Sequence, residues 1–209
     1  MKLTFLPAAP TPRKLLSAAF LLISLATSPA FADGKDFHDQ DLKSKDFSRQ
    51  ALNGANFEDA VLDHAVFANA SLKKASFKDA SLDFVSFYMA DLSEADLSGA
   101  TGTMVLSNVN LSKANLEATG DPNKVLTLNL STEINLRGAN LKKCKIINVG
   151  YKCDLSGADL RGTNLRGGNI SDTASLKKAI YDDDTAWPNG FDPVAAGCVM
   201  AKESAAEKK

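Results

Sequence analysis

Histidine, cysteine and tryptophan are scarce in this chain of 209 residues, which contains two, three and one of them. A metal site needs several converging ligands, and the spacing of His38, Asp39, Asp63 and His64 does not bring them together. No phosphate-binding glycine motif is present, and no nucleophile, base and orienting acid can be grouped. We therefore predict no catalytic residue, no metal and no cofactor.

Long apolar runs are also absent, except for one near the start of the chain. Residues 15–25 are almost entirely apolar, follow Lys2, Arg13 and Lys14, and lead to Ala30-Phe31-Ala32. This run is too short to span a bilayer as a helix, and its small-residue ending is typical of a cleaved export signal. We predict that residues 1–32 are a Sec-type signal peptide, and that the protein makes no membrane contact after cleavage.

The rest of the chain is dominated by a large apolar residue at every fifth position. Neither an α-helix nor a half-buried strand has this period, which indicates a solenoid. From the fifth repeat onward, a small residue usually lies two positions before each large one. The thirteen consecutive centres are Phe37, Leu42, Phe47, Leu52, Phe57, Leu62, Phe67, Leu72, Phe77, Leu82, Phe87, Leu92 and Leu97.

The repeated unit resembles that of the pentapeptide repeat family. It is seen in Ala55-Asn56-Phe57, Ala95-Asp96-Leu97, Ala139-Asn140-Leu141 and Ala158-Asp159-Leu160. The resemblance implies an all-β fold, a right-handed quadrilateral parallel β-helix in which each pentapeptide forms one side and both apolar positions point inward. We place this β-helix at residues 33–181, followed by a C-terminal cap and polar tail at 182–209. The cap could be helical over 195–206, with Trp187 and Phe191 closing the open end.

Phenylalanine and leucine alternate along the centres, so four sides per coil would stack like on like. Phe37, Phe57 and Phe77 would form one column, and Phe47, Phe67 and Phe87 another, with rings about 4.8 Å apart. The alternative is that the two residue types interchange freely in a tolerant core.

The period breaks at two places and is obscured at a third. It shortens by one residue at Gly102 and again near Tyr151. Residues 117–133 depart from the repeat; they form either an irregular coil or an excursion that returns at Leu136.

Cysteines in an exported protein raise the question of a disulfide. Cys144 and Cys153 occupy small inward positions, and Cys198 follows the repeats. A disulfide from Cys198 to Cys153 or to Cys144 would attach the cap covalently to the β-helix. The candidate pair is Cys153 with Cys198.

The surface offers two candidate protein-binding features. Residues 33–100 contain thirteen acidic and seven basic side chains, whereas 134–178 contain nine basic and three acidic. The basic end could bind an acidic partner or lipid headgroups through Lys142, Lys143, Lys145, Lys152, Arg161 and Arg166, or it could simply be a solvated face. Phe84, Tyr88 and Met89 stand where polar residues are the rule; they form either an exposed apolar patch or corner packing against Val85.

These features favour a non-catalytic exported scaffold or protein-interaction module with an unknown protein partner. The resemblance implies a thylakoid lumen, otherwise a periplasm. One alternative is the family branch that mimics DNA and protects gyrase, but such mimicry needs a long negative surface and this chain is acidic at one end only. A metal-binding or enzymatic β-helix is the other. We predict no nucleic acid partner, and the sequence leaves the oligomeric state open.

Overall fold

The computed structural model describes residues 35–121 and 123–201. The predicted signal peptide lies outside these residues, as does the polar tail from residue 202. The described chain consists of strands, short parallel pairings and turns, with no helix.

Parallel backbone pairing joins residues one coil apart. In the regular part the spacing is twenty residues, as between Asp36 and Asn56, and four such pairings occur in each coil. The chain therefore winds as a coil with four sides, which we number 1 to 4 from the first-coil pairings at Asp36, Asp41, Asp46 and Ala51. Coils 1 to 7 begin on side 1 at Asp36, Asn56, Ser76, Asp96, Asn115, Asn140 and Asp159.

The core is the inside of this coil. The large centres from Leu52 to Leu97 are at most 1% exposed, and the small residues between them are equally buried. The predicted phenylalanine columns are confirmed: rings stack at 4.7 and 4.9 Å in the Phe37 column and at 4.9 and 5.2 Å in the Phe47 column. The two columns also touch edge to face at 5.4 to 5.7 Å, so the aromatic core is continuous.

Most corners are tight turns whose third residue has a positive φ. In the first turn, Gln40 N donates to Phe37 O at 3.3 Å, and Asp39 has a φ of 57°. A positive φ at this position is the requirement of a type II turn, and it favours glycine or asparagine. Long charged residues such as Lys74 also occupy these positions, and large apolar residues occupy two of them, Phe84 at 54° and Met89 at 58°.

Polar side chains form ladders outside the core. On side 4, Asn110 donates to Asp91 at 2.9 Å and Asn135 donates to Asn110 at 3.0 Å. Side 1 has the same arrangement at Asp96, Asn115 and Asn140. The ladders satisfy the hydrogen-bonding groups of side chains that stack one coil apart, and they so fix the register between coils.

Three strands replace the corner between sides 2 and 3 in coils 4 to 6. They are β1 (Gly102–Ser107), β2 (Leu126–Thr132) and β3 (Lys145–Tyr151), and they pair in parallel in the order β1-β2-β3. The chain runs straight through where a turn would stand, which explains the one-residue shortenings at Gly102 and near Tyr151.

Residues 117–133 stay in the solenoid as an irregular coil, because Leu126, Leu128 and Leu130 of β2 are fully buried in its core. The extra residues lie between Ala118 and Val125, at the corner between sides 1 and 2. Of the two alternatives for this segment, the irregular coil is therefore confirmed.

The C-terminal cap differs from the helix expected over 195–206. Its described part is a series of turns that ends in β5 (Val199–Met200), which pairs in parallel with β4 (Ile180–Tyr181). The expectation of a helix is wrong here, since Gly197 has a φ of 81° and Val199 extends the pairing of side 1. Trp187 stacks on Phe191 at 5.0 Å and, with it, packs against the core.

The three cysteines are free, buried thiols. Cys153 lies on side 4 before Asp154, whereas Cys198 lies on side 1 before Val199, in a higher layer of the solenoid. The predicted Cys153–Cys198 disulfide is therefore wrong, because the two inward positions belong to different columns. Burial raises the pKa of Cys144 to about 12 and that of Cys198 to about 11.

Candidate interaction surfaces

Phe84, Tyr88 and Met89 all point into solvent. Phe84 stands at the corner between sides 2 and 3 of coil 3 and is 57% exposed, and the ring of His64 stacks on it at 5.6 Å. Tyr88 and Met89 form the next corner of the same coil and are 47% and 53% exposed. Side 3 of this coil is thus bordered by large apolar groups at both ends.

The backbone makes this placement unfavourable for stability. A positive φ brings the Cβ atom of an L-residue close to its own backbone and costs about 1–2 kcal/mol. Asn69 and Asn108 occupy the same corner as Met89 in neighbouring coils, where they tolerate this conformation better. Long charged side chains such as Lys74 adopt the same backbone conformation, so Phe84 and Met89 are set apart by being large apolar groups left exposed, which favours a role at the surface.

Side 3 carries no charge over five consecutive coils. We define the neutral face as the outward side chains of residues 66–69, 84–89, 103–108, 127–132 and 147–151, none of which is Asp, Glu, Lys or Arg, although 23% of the chain is charged. Val105 and Tyr151 add two exposed apolar groups, at 50% and 49% exposure. Depletion of charge together with exposed aromatic and methionine side chains is the composition of the centre of a protein interface.

Charged residues begin at the limits of this face. Asp46 and Arg49 lie below it in coil 1, and Glu133 and Lys152 form an ion pair of 3.5 Å at its upper corner. The Lys152 ammonium lies 5.0 Å from the centre of the Tyr151 ring. The face is therefore a bounded patch on a longer rod.

Three of the predicted basic residues line a groove at the corner between sides 1 and 2. Lys142, Lys143 and Arg161 surround an open volume of about 790 Å³, together with Glu117, Thr119, Gly120, Gly162, Asp182 and Asp184. The inserted segment after Ala118 forms one wall of the groove.

Acidic neighbours balance these cations. Glu117 contacts Lys142 at 3.3 Å and Lys143 at 4.0 Å, and Arg161 pairs with Asp159 at 2.7 Å. A hydrogen bond from Asn140 and the ammonium of Lys142 hold the pKa of Glu117 below its usual value. The groove is consequently of mixed charge and is not a basic patch.

Arg166, Lys145 and Lys152 lie elsewhere on the solenoid. Arg166 is at the corner between sides 2 and 3, and Lys145 starts β3 on side 2. Sequence reasoning missed Glu117 as the partner of Lys142, because the insertion after Ala118 changes which residues stack. It also missed Asp159, although this residue lies only two positions before Arg161 in the same repeat.

The histidines are apart from any cluster of metal ligands. His38 Nδ1 lies 3.0 Å from Glu58 O, and His64 packs on Phe84. Within residues 35–121 and 123–201, no three His, Cys, Asp or Glu side chains come close enough to hold a metal ion. In the same part of the chain, no helix has the length and apolarity to cross a bilayer.

A parallel coil with four sides, built from five-residue units with two inward positions, defines a class of repeat protein. The family described as pentapeptide repeats matches residues 41–79, 60–99 and 151–173, with eight copies of the repeat. A pentapeptide repeat protein from the thylakoid lumen of Arabidopsis thaliana is 33% identical over 62% of this chain and 70% of its own, with a TM-score of 0.31. This chain belongs to the pentapeptide repeat family, whose fold is a right-handed β-helix.

Two other solved structures are less identical in sequence. A pentapeptide repeat protein from Nostoc PCC 7120 is 29% identical over 65% of this chain and 84% of its own, with a TM-score of 0.27. The plasmid-mediated fluoroquinolone resistance protein QnrB1 is 18% identical over 80% of this chain and 88% of its own, with a TM-score of 0.48. No curated protein matches the chain significantly.

Proposed function

We propose that this pentapeptide repeat protein is a non-catalytic scaffold that binds another protein through its neutral face. The observation that carries the proposal is the exposure of Phe84, Tyr88 and Met89, three large apolar groups, on an uncharged surface. A solenoid suits this role because the pairing between its coils holds the whole face rigid, so the face loses little conformational entropy when it binds a partner.

The same proposal includes export. The leader-like pattern in residues 1–32 supports a Sec-type signal, and the 33% identity to a protein of the thylakoid lumen supports that compartment, with a periplasm as the alternative.

The basic residues serve as a secondary contact at most. Lys142, Lys143 and Arg161 already neutralise Glu117 and Asp159, and Arg166 is separated from them. The DNA-mimic alternative is disfavoured for a related reason, since the basic residues of 134–178 interrupt any continuous negative surface.

Crosslinking mass spectrometry in extracts of the exported compartment tests the proposal. The test variant carries Phe84→Asn and Met89→Asn, because asparagine tolerates the corner backbone and removes the apolar group. Lys113→Asn is the matched control: it also has a positive φ, at 58°, and lies at the corner between sides 4 and 1. We expect wild type and control to share a crosslinked partner that the double variant loses. Equal crosslinking by all three proteins would refute the neutral face as the contact.

A further inference from the structure

We propose that the neutral face binds a second copy of this chain, with the two rods antiparallel and related by a two-fold axis at coil 4. This inference rests on the proposed function, in that it takes the same face as the contact surface and names its partner. It is carried by the order of residues along one edge of the face.

One column runs along the side 2 edge of the neutral face, one residue per coil. His64 N donates to Asp83 O and Phe84 N donates to Thr103 O, while Thr103 pairs with Thr127 and Thr127 with Lys145. With Ser44 N donating to Asp63 O, the order from coil 2 to coil 6 is Asp63, Asp83, Thr103, Thr127 and Lys145.

The two-fold axis lies in the contact plane and is perpendicular to the rods. It places the side 2 edge of one copy against the side 2 edge of the other, with the order of coils reversed. Coil 2 then faces coil 6 of the second copy, so Asp63 meets Lys145 twice in the dimer. Lys145 is exposed and has no ion pair with any residue among 35–121 and 123–201. Thr103 and Val105 of coil 4 lie near the axis and meet their own counterparts.

The charge of the whole rod favours the same orientation. Residues 33–100 have thirteen acidic and seven basic side chains, and residues 134–178 have nine basic and three acidic. Antiparallel rods place each acidic half beside the basic half of the other copy. Parallel rods would place like charges together along the full length, which electrostatics disfavours.

The uncharged centre makes the contact self-complementary. Phe84 and Tyr88 of coil 3 would pack on Asn129, Ser131 and Thr132 of coil 5. Met89 would meet Glu133, whose carboxylate is paired with Lys152 of its own chain at 3.5 Å. Along the side 2 edge, Asp63 faces Lys145, whereas Asp83 faces Thr127, a hydroxyl instead of a cation, so the contact gains one ion pair and one polar contact from each copy.

The size of the face sets the expected strength. Five coils about 4.8 Å apart and six residues of about 3.3 Å give roughly 24 by 20 Å, or about 500 Å² from each copy. The total of about 1,000 Å² lies below the standard range of stable complexes. We therefore expect a dissociation constant on the order of 10 to 100 µM.

Sedimentation equilibrium of the purified protein tests the association. We expect a monomer–dimer equilibrium that weakens about tenfold in the Phe84→Asn, Met89→Asn variant and is unchanged in Lys113→Asn. Lys145→Glu should weaken it at low salt and less at high salt, because it removes a screened ion pair. A protein that stays monomeric at a concentration of about 500 µM would overturn the inference.

The orientation is tested by mixing ¹⁴N- and ¹⁵N-labelled protein and joining contacting carboxylates and amines with a carbodiimide. We expect mixed-isotope crosslinks between Asp63 and Lys145. Mixed-isotope crosslinks confined to residues of the same coil would overturn the antiparallel arrangement. If the protein is monomeric but the double variant still loses a crosslinked partner in extracts, the self-association is wrong and the proposed function stands.

Discussion

The phenylalanine columns should contribute a measurable coupling energy, which a double-mutant cycle on Phe67 and Phe87 can isolate. Their rings stack at 5.2 Å with an interplanar angle of 16°, and both are at most 1% exposed. Stacked aromatic pairs contribute about 0.5–1.5 kcal/mol beyond the area they bury. If the column is a specific arrangement, Phe67→Leu and Phe87→Leu together should cost less than the sum of the two single changes by about this amount.

The matched reference cycle pairs Phe87→Leu with Phe37→Leu. Phe37 touches Phe47 and Phe57, whereas Phe87 touches Phe67 and Phe77, so these two rings share no aromatic partner. Changes at residues without shared contacts are expected to add within about 0.3–0.5 kcal/mol.

The free energy of unfolding of each variant would be measured by urea titration with far-ultraviolet circular dichroism. Phe67 also touches Phe47, Phe57 and Phe77, so the single change Phe67→Leu should itself cost about 2–4 kcal/mol. Equal coupling in both cycles, near zero, would show that phenylalanine and leucine simply interchange in a tolerant core.

Two further changes test the backbone and the buried thiol. Gly102→Ala should destabilise the protein by about 2 kcal/mol more than Gly54→Ala in the same titration. The reason is that a Cβ atom added at Gly102 would lie 2.6 Å from Asp83 N, whereas a Cβ atom added at Gly54 would meet open space. Equal losses of stability in the two variants would contradict this. Cys144→Ala should reduce the loss of stability between pH 9 and 12, measured as urea midpoints against pH. Burial raises the pKa of Cys144 to about 12, so the folded state keeps the proton that the unfolded state releases above about pH 8.5. The contribution of the Cys144 thiol to the free energy of unfolding is at its full value below pH 8.5 and falls by about 1.4 kcal/mol per pH unit above it. An unchanged dependence of stability on pH in the alkaline range in the variant would refute the assignment.

The sequence predicts the core of this fold well, because inward positions follow from the period alone. Each large centre from Phe57 to Leu97 is buried, and the phenylalanine columns follow from four sides per coil. The breaks at Gly102 and Tyr151 were also located correctly, although the period could not show that both mark strands of one sheet.

The outer surface was less predictable, because it depends on which residues stack across an irregular coil. Glu117 neutralises Lys142 from 25 residues away, and the insertion after Ala118 sets that spacing. The expected helix in the cap failed for a related reason, since pairing of Val199 with Ile180 outweighs the weak helical preference of a short alanine-rich segment.

The departures from the repeat act together to build the three-stranded part of the neutral face. Coils 4, 5 and 6 all lack the turn between sides 2 and 3, while coil 3 keeps it at Phe84 and coil 7 at Arg166. The three paired strands tolerate only one-residue register shifts, after Leu106 in β1 and after Leu128 in β2, so a turn in β2 alone would break its pairing with both β1 and β3. The chain avoids this by placing the extra residues of coil 5 at the preceding corner, after Ala118. The coordination is thus a requirement of strand pairing itself, and its consequence is a three-stranded surface on side 3, which the proposed partner would contact.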